Sequence, residues 1–274
     1  MAEKTAPRLA VVTGFSSGIG FEVARGLAEQ GWRVLGVARS QIRGRRAVEI
    51  LRAQTGNPGI HFFTADLSLL SETRTLGQRL VAGNPKIDLL INNAGAIFSQ
   101  REETEEGHER TLALNHLSPF VLTETLLPSL TGRIINVTSS THHGAQLNLD
   151  DLGMAGNYSG WRQYQHTKLM NVLFTRKLSE LLPEHSTASC LHPGFVRTRI
   201  GSNNGLFWRL AMKMQMLMAV KPREAARGVL RLALESGLSG LYFDRGHPAT
   251  PSPAGQDGKL AEALWNRTRE IVSK

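Results

Sequence analysis

Two hydrophobic periods alternate along the chain. Short, near-continuous apolar and β-branched runs occupy Leu9–Thr13, Arg33–Ala38, Ile60–Ala65, Ile87–Asn92, Arg133–Thr138, Thr187–Leu191 and, more weakly, Leu241–Phe243. Runs of that length, with no polar alternation, are what strands shielded on both faces require. Between them lie stretches with the helical period: Ile19–Gln30, Gln41–Gln54, Leu70–Val81, Glu105–Leu130, Tyr158–Leu182 and Arg223–Glu235, with a last amphipathic stretch at Lys259–Val272. Strand and helix in turn predict an α/β Rossmann fold, a doubly wound seven-stranded parallel sheet flanked by helices, as one domain over residues 1–274. One segment, about 197–222, breaks the pattern with Phe207, Trp208, Leu210, Met212, Met214, Met216 and Met218. It reads either as flexible core filling or as a substrate loop.

Composition narrows the function classes. With 41% apolar residues and no low-complexity block, disorder is excluded. No run approaches the roughly 20 apolar residues of a membrane span, and Met1 to Arg8 contains no apolar leader, so no transmembrane anchor or signal peptide is expected. Cys190 is the only cysteine, which leaves no internal disulfide or thiolate metal site and points to the reducing cytoplasm. His142 and His143 have no second ligand pair at metal-binding spacing. No metal is expected, and both read as loop residues near a site mouth.

A net charge of +9 suits a phosphorylated ligand, a nucleic acid or an anionic membrane surface. Arg39, Arg43, Arg45, Arg46 and Arg52 gather beside the second strand with no aromatic platform among them, which argues against nucleic acid.

The gathering has a use if the first strand leads into a phosphate cradle. Thr13 is followed by Gly14, Phe15, Ser16, Ser17, Gly18, Ile19 and Gly20, and then by a helix. Glycines there permit a tight turn and close backbone approach, while the N–H groups and dipole of the helix start attract a pyrophosphate. A site that prefers NAD places an acid at the end of the second strand; this chain has Arg39, which suits the 2′-phosphate of NADP.

Tyr164 and Lys168 lie four apart on one helix face. An ammonium beside a phenol stabilises the phenolate and moves its pKa towards the working range, making a proton donor for a carbonyl and an acceptor for an alcohol. Asn92-Asn93-Ala94-Gly95 follows the fourth strand and Thr138-Ser139-Ser140 closes the fifth. Carboxyl ends of strands form the crevice of such a sheet, so these segments converge there.

Together these motifs, with Asp66-Leu67, Asn115 in Leu112 to Leu117, and His192-Pro193-Gly194, resemble the short-chain dehydrogenase/reductases over most of the chain. The resemblance implies roles. Tyr164 is the general acid/base and Ser140, the second serine of its pair, binds the substrate oxygen. Lys168 binds the nicotinamide ribose, and Asn115 holds a proton-relay water. Gly14, Ser16, Ser17, Gly18, Ile19 and Gly20 cradle the phosphates, and Asn93, Ala94 and Gly95 line the nucleotide site. Asp66 and Leu67 meet the adenine, and the segment carrying Pro193, Gly194, Val196 and Thr198 closes over the nicotinamide.

The long gap from Ser140 to Tyr164, Leu114–Leu117, Asn171–Phe174 and His192–Thr198 are similar to the retinol dehydrogenase and WW-domain oxidoreductase branch; Ser118-Pro119 departs from it. The implied activity is hydride transfer between NADP(H), preferred over NAD(H), and the carbonyl or alcohol of a bulky apolar substrate. The alternatives are a catalytically silent NADP-binding sensor and a C=C reductase of the protochlorophyllide reductase type. Such proteins commonly assemble as homo-oligomers through the helices near Glu105 and Tyr158, and the 201–221 segment could instead touch a membrane surface.

Overall fold

Along β1 (Leu9–Thr13), Leu9 and Val11 enter one apolar cluster while Ala10 and Val12 enter another. The two-residue period of a strand thus feeds two cores, one on each face of a sheet. A computed structural model of the chain describes residues 6–184, 186–195, 220–235 and 241–273.

After β1 come α1 (Gly18–Glu29), β2 (Arg33–Ala38), α2 (Gln41–Thr55), β3 (Ile60–Thr64), α3 (Leu70–Gly83), β4 (Ile87–Asn92), α4 (Arg110–Leu112) and α5 (Ser118–Leu126). The chain continues through β5 (Leu130–Val137), α6 (Gly160–Leu181), β6 (Thr187–His192), α7 (Pro222–Leu234), β7 (Tyr242–Asp244), β8 (His247–Pro248), α8 (Pro253–Gln256) and α9 (Gly258–Val272). Helices α1, α2 and α7 cover one face of the sheet; α3, α5, α6 and α9 cover the other.

The strand order is β3-β2-β1-β4-β5-β6-β7-β8, parallel through β7. The sheet therefore has eight strands rather than seven. The extra one, β8, is a two-residue antiparallel hairpin strand containing a proline, too short to leave a periodic signal. Strand order reverses between the parallel neighbours β1 and β4, which opens a crevice at their carboxyl ends.

The stretch Glu105–Leu130, expected as one helix, is divided. Helix α4 begins only at Arg110, where the Glu109 carboxylate accepts from the amides of Thr111 (2.8 Å) and Leu112 (2.7 Å). A π-helical turn spans Ala113–Leu117, and a 3-10 turn at Leu127–Ser129 ends the run. Pro119 explains the irregularity: it has no N–H to donate to the carbonyl four residues back, that of Asn115, and this carbonyl accepts from Asn171 Nδ2 at 2.9 Å.

Helices α5, α6 and α9 meet through aromatic rings. The Trp265 ring lies 4.8 Å from that of Phe120 and 5.9 Å from that of Phe174, all three side chains being buried. Trp265→Ala is expected to lower the unfolding free energy by about 3–5 kcal/mol in a denaturant titration. A loss under about 1 kcal/mol would show that α9 packs too loosely to support α6.

Candidate active site

The crevice starts with the glycine cradle between β1 and α1. Gly14 has φ +68°, in the left-handed region, and its amide donates to Val37 O at 2.9 Å. A Cβ on Gly20 would lie 2.5 Å from Gly14 O and 2.6 Å from Asn93 Nδ2, so only glycine lets α1 start this close to the sheet. Ser17 caps α1 without a side-chain hydrogen bond, and the first turn has no acidic residue. The helix start thus has positive partial charge with no carboxylate to compete for it.

One hydroxyl joins the cradle to the next strand. Thr13 Oγ1 accepts from the amides of Asn93 (2.9 Å) and Ala94 (3.0 Å) and donates to Ile91 O at 3.3 Å, while Asn93 Nδ2 donates to Thr13 O at 2.9 Å. The Asn92–Gly95 loop is fixed in this way across the β1/β4 divide. Asn115 then meets it: Oδ1 accepts from Ala96 N and Nδ2 donates to Ala96 O, both at 2.9 Å. A Cβ on Gly95 would sit 3.2 Å from Asn115 Oδ1 and 3.7 Å from Lys168 Nζ, so the structure brings Gly95, Asn115 and Lys168 together.

Helix α6 supplies the titratable groups. Ser159 caps it by accepting from Arg162 N, and Tyr164 and Lys168 are both buried on its inner face. Lys168 Nζ donates to Val137 O at 3.0 Å and stands 5.3 Å from the centre of the Tyr164 ring; Thr138 Oγ1 donates to Lys168 O at 2.8 Å. Burial pushes the Lys168 ammonium down to about 8. Burial also pushes the Tyr164 phenol up to about 12, against a smaller downward pull from its hydrogen-bonding neighbour Ser139. The Lys168 ammonium stands against the face of that ring and is bonded to Val137 O.

That neighbour is not the serine chosen from the sequence. Ser139 is buried beside Tyr164, whereas Ser140 is exposed and opens the 3-10 turn Ser140–Gly144. Adjacent residues leaving a strand point in opposite directions, so a one-residue difference in where β5 ends decides which serine lies beside Tyr164. His142, expected as a loop residue at the site mouth, is fully buried, while His143 is exposed. Thr13 opens the glycine motif, but the bonds of its hydroxyl to the amides of Asn93 and Ala94 are not legible there.

The remaining expected residues lie at the same carboxyl-end rim. Arg39 follows β2 and is exposed; Ser40 next to it caps α2. Asp66 Oδ1 accepts from the amide (2.9 Å) and hydroxyl (2.7 Å) of Ser68, and Leu67 is buried. Pro193 and Gly194, the latter at φ +92°, follow β6. Val196, Thr198 and residues 197–219 of the expected substrate loop lie outside the described residues. Among the described residues no cluster of ligating side chains suits a metal ion, and no helix is long and apolar enough to cross a membrane.

Comparison with known proteins gives concordant matches. The family described as short chain dehydrogenase matches residues 8–206. Human retinol dehydrogenase 12 is 35% identical over 97% of this chain and 86% of its own length. Human dehydrogenase/reductase SDR family member 13 is 36% identical over 97% of this chain and 73% of its own. Among solved structures, a protein from Mycobacterium paratuberculosis superposes with a TM-score of 0.79 at 30% identity, covering 98% of this chain and 94% of that one.

Thr13→Val keeps the shape and removes the acceptor shared by two loop amides. It should cost about 1–3 kcal/mol of stability in a denaturant titration, with Thr13→Ser retaining wild-type behaviour. Equal stability of the valine variant and wild type would remove the hydroxyl clamp from the account.

Proposed function

This chain belongs to the short chain dehydrogenase family and is an NAD(P)-dependent dehydrogenase/reductase acting on CH–OH and C=O groups; from that premise we propose an NADP(H)-dependent oxidoreductase of bulky apolar carbonyl and alcohol substrates, with Tyr164 as the proton-transferring residue. The observation that carries this reading is a buried phenol with Ser139 as its hydroxyl neighbour and Lys168 against its ring, next to Asn115 and Gly95.

The residues present fit a dinucleotide. The cradle of Gly14, Ser16, Ser17, Gly18, Ile19 and Gly20 has Gly14 and Gly18 in the left-handed region and a helix start without a carboxylate. Asn93, Ala94 and Gly95 would line the nucleotide site, Asp66 and Leu67 would meet the adenine, and Pro193 and Gly194 would lie against the nicotinamide. Arg39 supports NADP over NAD, since it offers a guanidinium where an acid would repel a 2′-phosphate. The names of the retinol dehydrogenase relatives, and Phe207, Trp208 and Leu210 in the sequence, support an apolar substrate.

When bound, the nicotinamide supplies or takes the hydride. In reduction, Tyr164 gives its proton to the carbonyl oxygen, and its raised pKa keeps that proton in place at neutral pH. Ser139 donates a hydrogen bond to the same oxygen as charge develops on it. Lys168 stabilises the resulting phenolate from beside the ring and binds the ribose, while Asn115 orders a water that returns the proton. In oxidation the same groups run in reverse, the phenolate taking the alcohol proton. The single free cysteine, Cys190, is buried, which supports a reducing, cytoplasmic setting.

Tyr164→Phe should abolish turnover, a fall on the order of 10²–10⁴-fold, while leaving NADPH affinity intact; activity near wild type would refute the mechanism. In the same assay Ser139→Ala should lose activity on the order of 10²-fold and Ser140→Ala almost none. Arg39→Ala should weaken NADPH far more than NADH in a fluorescence titration, and equal losses would reject the 2′-phosphate assignment.

A further inference from the structure

His142 lies in the turn that follows Ser139, and both of its ring nitrogens are engaged. Nδ1 lies 2.7 Å from Ser139 O, and Nε2 lies 3.0 Å from the backbone amide of Ser252. The partners assign the protons. A carbonyl only accepts, so Nδ1 bears the hydrogen; an amide N–H only donates, so Nε2 is unprotonated. The ring is fully buried, with His143 and Tyr242 packed on it at 4.2 Å and 5.0 Å between centres, and His192 is the other titratable neighbour. Its place is therefore that of a neutral bracket between two segments 110 residues apart.

What the bracket holds is the peptide leaving Ser139. Ser139 is extended, with φ −153° and ψ 151°, and its carbonyl also accepts from the His142 amide at 3.2 Å. Any residue but proline at 142 makes that backbone bond. Only a side-chain donor of the right reach adds the shorter second one, which fixes the plane of the peptide and with it the direction of the Ser139 Cα–Cβ bond. Ser252 at the far end is itself anchored, since its hydroxyl accepts from Gly255 N and caps α8.

We propose that His142 is a positioning residue that aims the Ser139 hydroxyl at the substrate oxygen, with its Nε2 end anchoring the loop to the segment before α8. This rests on the reading of Ser139 given above. It assigns the two nitrogens different work, and the two amide side chains separate them. Asparagine places its Nδ2 near the position of histidine Nδ1 and keeps the bond to Ser139 O. Glutamine places its Oε1 near the position of Nε2 and keeps the acceptor for Ser252 N.

The test is steady-state reduction of an apolar aldehyde by NADPH with wild type, His142→Asn, His142→Gln and Ser139→Ala, with NADPH affinity and thermal midpoint measured on each. His142→Gln should lose kcat on the order of 10²-fold with KM and NADPH affinity unchanged and the thermal midpoint near wild type. His142→Asn should keep kcat within about threefold, the bond to Ser139 being retained, while its thermal midpoint falls because the buried Ser252 amide loses its acceptor. Equal kcat losses in the two variants, or full kcat in His142→Gln, would overturn the proposal. Loss of turnover in Ser139→Ala alongside full kcat in His142→Gln would remove the role of His142 alone. Retained turnover in Ser139→Ala would refute the assignment of Ser139, and the role of His142 with it.

Discussion

The hydroxyl of Thr13 sits where the sheet changes direction, and the site depends on it. Strand order reverses between β1 and β4, so their carboxyl ends diverge and leave loop amides without strand partners. Thr13 Oγ1 takes two of those amides and closes on the β4 backbone, a satisfied node in a place where orphaned buried amides would be costly. From it the Asn92–Gly95 loop is positioned, then Asn115 through Ala96, then Lys168 beside Gly95. A crevice that arises from topology is thereby given fixed walls.

Burial is the second constraint, and it acts on chemistry. The inner face of α6 takes Tyr164 and Lys168 out of water, driving the phenol up to about 12 and the ammonium down to about 8. Both shifts favour the neutral forms, and they move apart two groups whose ordinary values nearly coincide. The protein thus stores a proton on Tyr164 for delivery to a carbonyl oxygen. Buried polar partners accompany this face: Asn92 to Asn136, Asn136 to Thr175, and Asn171 to the Asn115 carbonyl that Pro119 leaves without its helical donor. They satisfy side chains that apolar packing alone would leave unpaired.

The fold was legible because strands shielded on both faces and helices with one apolar stripe write different periods, and every parallel strand was placed within a few residues. The failures have local causes. The pair His247–Pro248 is too short to show a period, and the division of the helix around Asn115 turns on Pro119 and the Glu109 cap. At the site, Tyr164, Lys168, Asn115 and the glycines announce themselves by spacing. The choice between Ser139 and Ser140 does not, because it rests on which way one peptide faces at the end of β5. His142 has no motif, its contacts being made to a carbonyl and to an amide 110 residues away, neither of which has a side-chain signature.

The most direct measurement is to follow the label from NADPH carrying deuterium at the transferring position of its nicotinamide, with an apolar α,β-unsaturated aldehyde as acceptor and mass spectrometry of the product. The account predicts a single deuterium on the carbinol carbon of the alcohol. Deuterium on a former alkene carbon, or NADPH bound with no label transferred, would contradict it.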